Sequence, residues 1–107
     1  MAKVNLFIEY CLRKEKIEYN IKGIYKDNKI KYKDDNSIIV INLNNNILEK
    51  YQNENKIVFD FNNQKCYLDN YNIDLNIDVI KIINDENIFY VHYKIENDSF
   101  EIKIKIK

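Results

Sequence analysis

The chain reads as all-β, a single antiparallel up-and-down barrel of about eight or nine strands. Two observations lead there. Apolar and polar residues alternate through nearly every stretch, from Val4, Leu6, Ile8, Tyr10 and Leu12 at one end to Phe100, Ile102, Ile104 and Ile106 at the other. A period of two places one set of side chains on one face of a pleated strand. Each stretch is then cut off by a cluster of Asn and Asp, the signature of hairpin turns. A meander of short hairpins has edges to hide, and closing into a barrel hides them.

The first strand covers residues 2–13, and the charged run Arg13, Lys14, Glu15, Lys16 makes the connection. Ile17, Tyr19 and Ile21 carry the second strand to Gly23, the only glycine. An isolated strand glycine marks a bulge or a close backbone approach, and the shift of the apolar beat to Ile24 and Tyr25 favours the bulge. Lys26 to Lys29 forms a turn into Ile30–Lys33, with Asp27 and Asn28 in place of the usual glycine. Asp34, Asp35 and Asn36 lead to the strand 38–43, and Asn44, Asn45 and Asn46 lead to 47–51. Asn53, Glu54 and Asn55 precede Ile57, Phe59 and Phe61, while Asn62 and Asn63 precede Cys66 to Leu68. In the long segment from Tyr71, the beat of Ile73, Leu75, Ile77 and Val79 slips between Ile80 and Ile83, which predicts a second bulge or a bend. Phe89, Val91, Tyr93 and Ile95 form the inner face of the next strand, and residues 100–107 the last.

With 107 residues, one domain spanning 1–107 is expected, burying about 65% of its unfolded surface without disulfides or metal. Asn, Ile, Lys and Tyr dominate the composition, the bias of an AT-rich genome, and Pro and Trp are absent. Lys plus Arg and Asp plus Glu both number 17, so no basic excess supplies affinity for nucleic acid or an anionic membrane. Two distant cysteines, Cys11 and Cys66, read as free thiols of a reducing compartment. The N-terminus enters a strand with no apolar leader, and no apolar run approaches the roughly 20 residues of a spanning helix. A soluble, cytoplasmic protein is expected.

No motif announces catalysis or a metal. His92 is the only histidine, in phase with Tyr90 and Lys94 and so opposite the core, with the serines Ser37 and Ser99 at turns. Asp74 and Asp78 share a strand face but stand about 13 Å apart, too far to share one ion. Neither catalytic residue, metal ligand nor cofactor is assigned. The nine tyrosines are more informative. A tyrosine has a large apolar body and one hydroxyl, which suits a core or the wall of a ligand cavity. Tyr19, Tyr25, Tyr32, Tyr51, Tyr71 and Tyr93 are the candidate ligand-binding residues. Two lysine stripes, Lys103, Lys105, Lys107 and Lys29, Lys31, Lys33, offer a basic surface beside aromatics, as barrels that hold single strands do. Lysines on exposed strands also block edge pairing.

The segments IEYNIKGIYKDNKIKY (17–32), IVFDFNNQKCYLDNYNIDLNIDV (57–79) and YVHYKIENDSFEIKIKIK (90–107) follow one another in an order that resembles the YwiB-like family of small bacterial proteins. The resemblance spans most of the chain and implies a lipocalin-like (calycin-type) barrel. Family members end the strand running here through Glu49, Lys50 and Tyr51 with an Arg and a Gly, and several turn glycines are Asn here, including Asn72. The family has no established activity, so the resemblance carries over no functional residue.

The expected function is non-enzymatic binding of a small, partly apolar molecule in the barrel or at its mouth. The alternative is an interaction module whose outer Lys/Tyr face docks a protein or a single nucleic-acid strand. An uncovered edge strand would pair two chains into a homodimer.

Overall fold

Eleven strands form one sheet in the computed structural model, which describes residues 2–69 and 74–107. They are β1 (Ala2–Leu12), β2 (Glu15–Lys26), β3 (Lys29–Asp34), β4 (Ser37–Asn42), β5 (Ile47–Gln52) and β6 (Asn55–Asp60), followed by β7 (Lys65–Leu68), β8 (Asp74–Asn76), β9 (Asp78–Asp85), β10 (Ile88–Ile95) and β11 (Asp98–Ile106). Neighbouring strands are antiparallel, and the lateral order is β8-β7-β6-β5-β4-β3-β2-β1-β11-β10-β9. Chain neighbours are therefore sheet neighbours, except that β11 returns to pair with β1 and β8 does not pair with β9.

The two ends of this sheet are separated in the chain by a single residue, Ile77. Residues 74–85 act as one long strand whose first part pairs with β7 and whose remainder pairs with β10. Ile77 is buried, its N–H donates to the Gln64 carbonyl at 3.0 Å, and the Val79 N–H donates to Gln64 Oε1 at 3.1 Å. That segment brings the sheet round into a nearly closed up-and-down barrel. The count is eleven rather than eight or nine, because the long strand breaks into two ladders at Ile77 and the short 65–68 segment pairs on both sides.

Turns fall where Asn and Asp cluster. Asp27 and Asn28 take φ of 53° and 59° in a two-residue loop, the type I′ geometry that matches strand twist. Asp35, Asn46, Asn53 and Asn87 also have positive φ. Their short polar side chains tolerate the left-handed region that other residues avoid. Arg13 and Lys14 make the same turn at 51° and 70°. There the guanidinium reaches across to Asp98 with a two-point contact, Nε to Oδ1 at 3.0 Å and Nη2 to Oδ2 at 3.1 Å.

The inner face follows the apolar beat: Leu6 and Ile8, Ile30 and Tyr32, Ile39 and Ile41, Phe89 and Val91, Ile102 and Ile104 are all buried. Phe59, Phe61, Phe89, Tyr93 and Phe100 stack or tilt against one another with ring centroids 5.1 to 6.4 Å apart. The second bulge lies where the beat slips. Tyr93 faces Val79 and His92 faces Lys81, which leaves Ile80 unpaired and 52% exposed. The bulge expected at Gly23 is absent. The β1–β2 register runs unbroken through Val4↔Gly23, and the glycine instead admits Leu6 and the Lys31 carbonyl at close range.

On the N-terminal side of Gly23 the wall divides. β2 pairs with β3 only at Ile24↔Lys31, Tyr25↔Ile30 and Lys26↔Lys29, while residues 15–23 follow β1 alone. The remaining ladder of β3 faces β4.

Candidate functional site

A cavity of about 220 Å³ lies behind that division. Its aromatic wall comes from Tyr10 on β1, Tyr19 on β2, Tyr32 on β3, Phe59 on β6 and Tyr93 on β10. Ile8, Ile39, Leu48 and Ile102 supply the aliphatic remainder, and Asp34 and Lys50 bring opposite charges. Strand alternation puts them there. Asp34 keeps phase with Ile30 and Tyr32, and Lys50 keeps phase with Leu48.

Burial governs the hydroxyls. It pushes Tyr19 up to about 12, aided by the charges of Asp34 and Asp35 and a hydrogen bond to Asp34. Burial likewise raises Tyr32 and Tyr93 far above the ordinary tyrosine range, and Tyr10 more modestly. At neutral pH these phenols are un-ionised, so each offers an O–H donor and an oxygen acceptor from an otherwise apolar wall. A cavity of this size sits just below the usual span for ligand pockets, roughly 300–1,000 Å³, and above the roughly 150 Å³ that admits benzene. It suits a molecule of one ring.

Of the expected tyrosines, Tyr19, Tyr32 and Tyr93 meet in this cavity. Tyr25 does not: it shares the inner phase of Tyr19 but stands six residues further on, about 20 Å along the strand. It lines a more open recess of about 290 Å³ at the opposite end, and its hydroxyl donates to Asn28 Oδ1 at 3.2 Å. Tyr51 is a correction too. It lies on the outer face, opposite Ile38 and Lys56, and the Lys56 ammonium sits 5.6 Å from its ring centre. Tyr71 lies outside the described residues.

Tyr10, Asp34 and Lys50 were not expected at the site. Tyr10 was legible in the beat of the first strand. Lys50 was hidden because Ile47 and Leu48 are adjacent apolar residues, so either phase of β5 fits, and hydropathy favours turning Tyr51 inward instead. Leu48 decides the phase by facing Ile41 and Phe59.

The recess at the far end is built from asparagine. Asn28 Nδ2 donates to Asn44 Oδ1 at 3.0 Å, and Asn46 Nδ2 to Asn62 Oδ1 at 3.1 Å. Asn84 Nδ2 reaches the Leu43 carbonyl at 2.6 Å and Asn46 Oδ1 at 2.8 Å. These amides bind one another across successive turns, so they clasp the barrel end and have little capacity left for a ligand.

Other candidates lie on the outer face. His92 Nε2 stands 2.8 Å from Ser99 Oγ, within reach for a base and nucleophile, but on an open strand surface. The carboxylate in register with His92, Glu101, is engaged by the Tyr90 hydroxyl. Asp74 and Asp78 are both exposed. The lysine stripes sit on β11 and β3, with β1 and β2 between them. Lys103 faces Glu9, and Lys107 lies 5.2 Å from the ring centre of Phe7. Outer aromatics are thus already covered by lysine. Cys11, half-buried on the outer face, and Cys66, buried on the inner face, are free thiols, and burial raises Cys66.

Comparison with protein-family models, curated proteins and solved structures finds no match.

Proposed function

We propose that this chain is a non-enzymatic binding protein whose Tyr-lined cavity holds one small, partly apolar molecule. The observation that carries this reading is the convergence of four tyrosines from four strands on an unfilled volume of about 220 Å³. A barrel kept only for stability gains from filling such a space, because each void forfeits contacts of its lining atoms. Undivided hydrogen-bonding of β2 to β3 would also seal it, yet the ladder stops three pairs in. The cavity's polar groups, phenols held neutral by burial with Asp34 and Lys50 on separate strands, suit holding a ligand by hydrogen bonds.

On the sequence resemblance we further propose a lipocalin-like barrel of the YwiB-like type, working in the cytoplasm. The outer strand faces carry Lys, Glu and Asn rather than the apolar band of a membrane barrel, and no helix among the described residues is long and apolar enough to cross a membrane. A second copy would dock along the free side of residues 15–23, where Ile17 is 57% exposed.

Native mass spectrometry of protein purified from its own cells tests the proposal. A stoichiometric adduct, released on denaturation and of one-ring size, is expected. A clean apo mass that no added small molecule shifts would contradict it and move the weight to the outer face.

A further inference from the structure

The charges in the cavity are unequally served. Asp34 faces tyrosine hydroxyls, and its charge acts on Tyr19, Tyr10 and Tyr32. Lys50 has no such company. Ion pairs within 4.0 Å among the described residues engage Arg13, Lys16 and Lys56, none of them Lys50. Its register neighbours are Ile39 on β4 and Ile57 on β6, so its stem lies on apolar wall. Asp34 and Lys50 are two strands and two residues of register apart, about 12 Å between Cα atoms, so the backbone does not bring them together.

Without an ion-pair partner among the described residues, the ammonium is open to an incoming anion, and a charge-assisted hydrogen bond would add direction. Phe59 and Tyr93 line the same cavity with ring centres 6.0 Å apart and planes inclined by 53°, an arrangement that accepts a further ring edge-to-face. Resting on the reading of the cavity as a binding site, we propose that its ligand is a small aromatic carboxylate. The ring lies among Phe59, Tyr93 and Ile39, and the carboxylate accepts from Lys50 Nζ. Asp34 and the phenols face the other side of the ring, where they select a substituent that can hydrogen-bond.

Titration calorimetry of the full chain with p-toluate and with p-toluamide, its neutral counterpart of the same shape, tests this. The acid is expected to bind about tenfold more tightly than the amide, the difference that a hydrogen bond to a charged group makes. Lys50→Met should erase the preference, read as the ratio of acid to amide affinity within the variant, and Lys50→Arg should retain it. Equal binding of acid and amide, or a preference that survives in Lys50→Met, overturns the carboxylate assignment and leaves the cavity as a binding site. Binding of neither probe overturns both. The wild-type comparison decides the matter alone should a variant fail to fold.

Discussion

A methyl group added at Gly23 would come within 2.6 Å of Leu6 Cδ1 and 2.8 Å of the Lys31 carbonyl oxygen. The first is a side chain that can shift; the second is backbone of the paired strand and cannot shift cheaply. Gly23→Ala is therefore expected to destabilise the barrel by about 2 kcal/mol, the usual cost of overpacking, read as a lower urea midpoint with unchanged slope. The tyrosines offer a second test at this scale. An acid whose folded value is raised is more readily ionised in the unfolded chain. Its contribution to stability is whole below pH about 10 and is lost as pH climbs through the folded value. Tyr10, Tyr19, Tyr32, Tyr90 and Tyr93 are all raised, first by burial. Tyrosinate absorbance should thus rise in two phases, the later one, near pH 12 and coinciding with unfolding, coming from these residues. A single phase centred near pH 10 would contradict the buried hydroxyls. Which tyrosines face inward was legible where the beat is unambiguous, as at Tyr19, Tyr32 and Tyr93. It was not at Tyr51, where apolar neighbours in both phases let hydropathy choose the wrong face.

Residues 74–85 decide how the elements close. Their phase slip was visible in the run Ile80 to Ile83, and the bulge at Ile80 lets Val79 and Ile82 both turn inward against Tyr93 and Val91. That one segment pairs β7 and then β10 was not visible, because alternation reports which face a residue takes and nothing about its neighbouring strand. Nor did Gly23 announce which of its two strand uses applied, since both leave the same mark in sequence. The asparagine clusters were read correctly as turns. Their mutual bonding across turns depends on barrel curvature, which sequence does not display. Asn84 is the tie that binds β9 to the turn between β4 and β5. Asn84→Ala should cost about 1 kcal/mol in stability, as exposed hydrogen bonds do, and should speed amide hydrogen exchange in β9 more than in β1. Equal exchange in both strands would show that the clasp does not hold this side of the barrel.

The molecule as a whole has a radius of gyration of 13.4 Å, close to the roughly 13 Å of a compact domain of this length. With β8 and β9 acting as one, its wall is wider than the roughly eight strands whose interior side chains just fill. The extra width is occupied at the asparagine end by Phe61, Phe89 and Ile30, and left open among the tyrosines. All-β class and antiparallel closure followed from alternation and turn chemistry. The cavity did not, because residual volume depends on how side chains from five or more strands interlock. Methyl-resolved NMR of the intact protein during titration with p-toluate reports on that volume directly. Shifts concentrated at Ile8, Ile39, Leu48 and Ile102, with Ile30, Leu43 and Ile106 at the asparagine end unmoved, are the expected result. Shifts confined to the asparagine end or the outer face, or none at saturating probe, would contradict a binding site in the tyrosine-lined cavity.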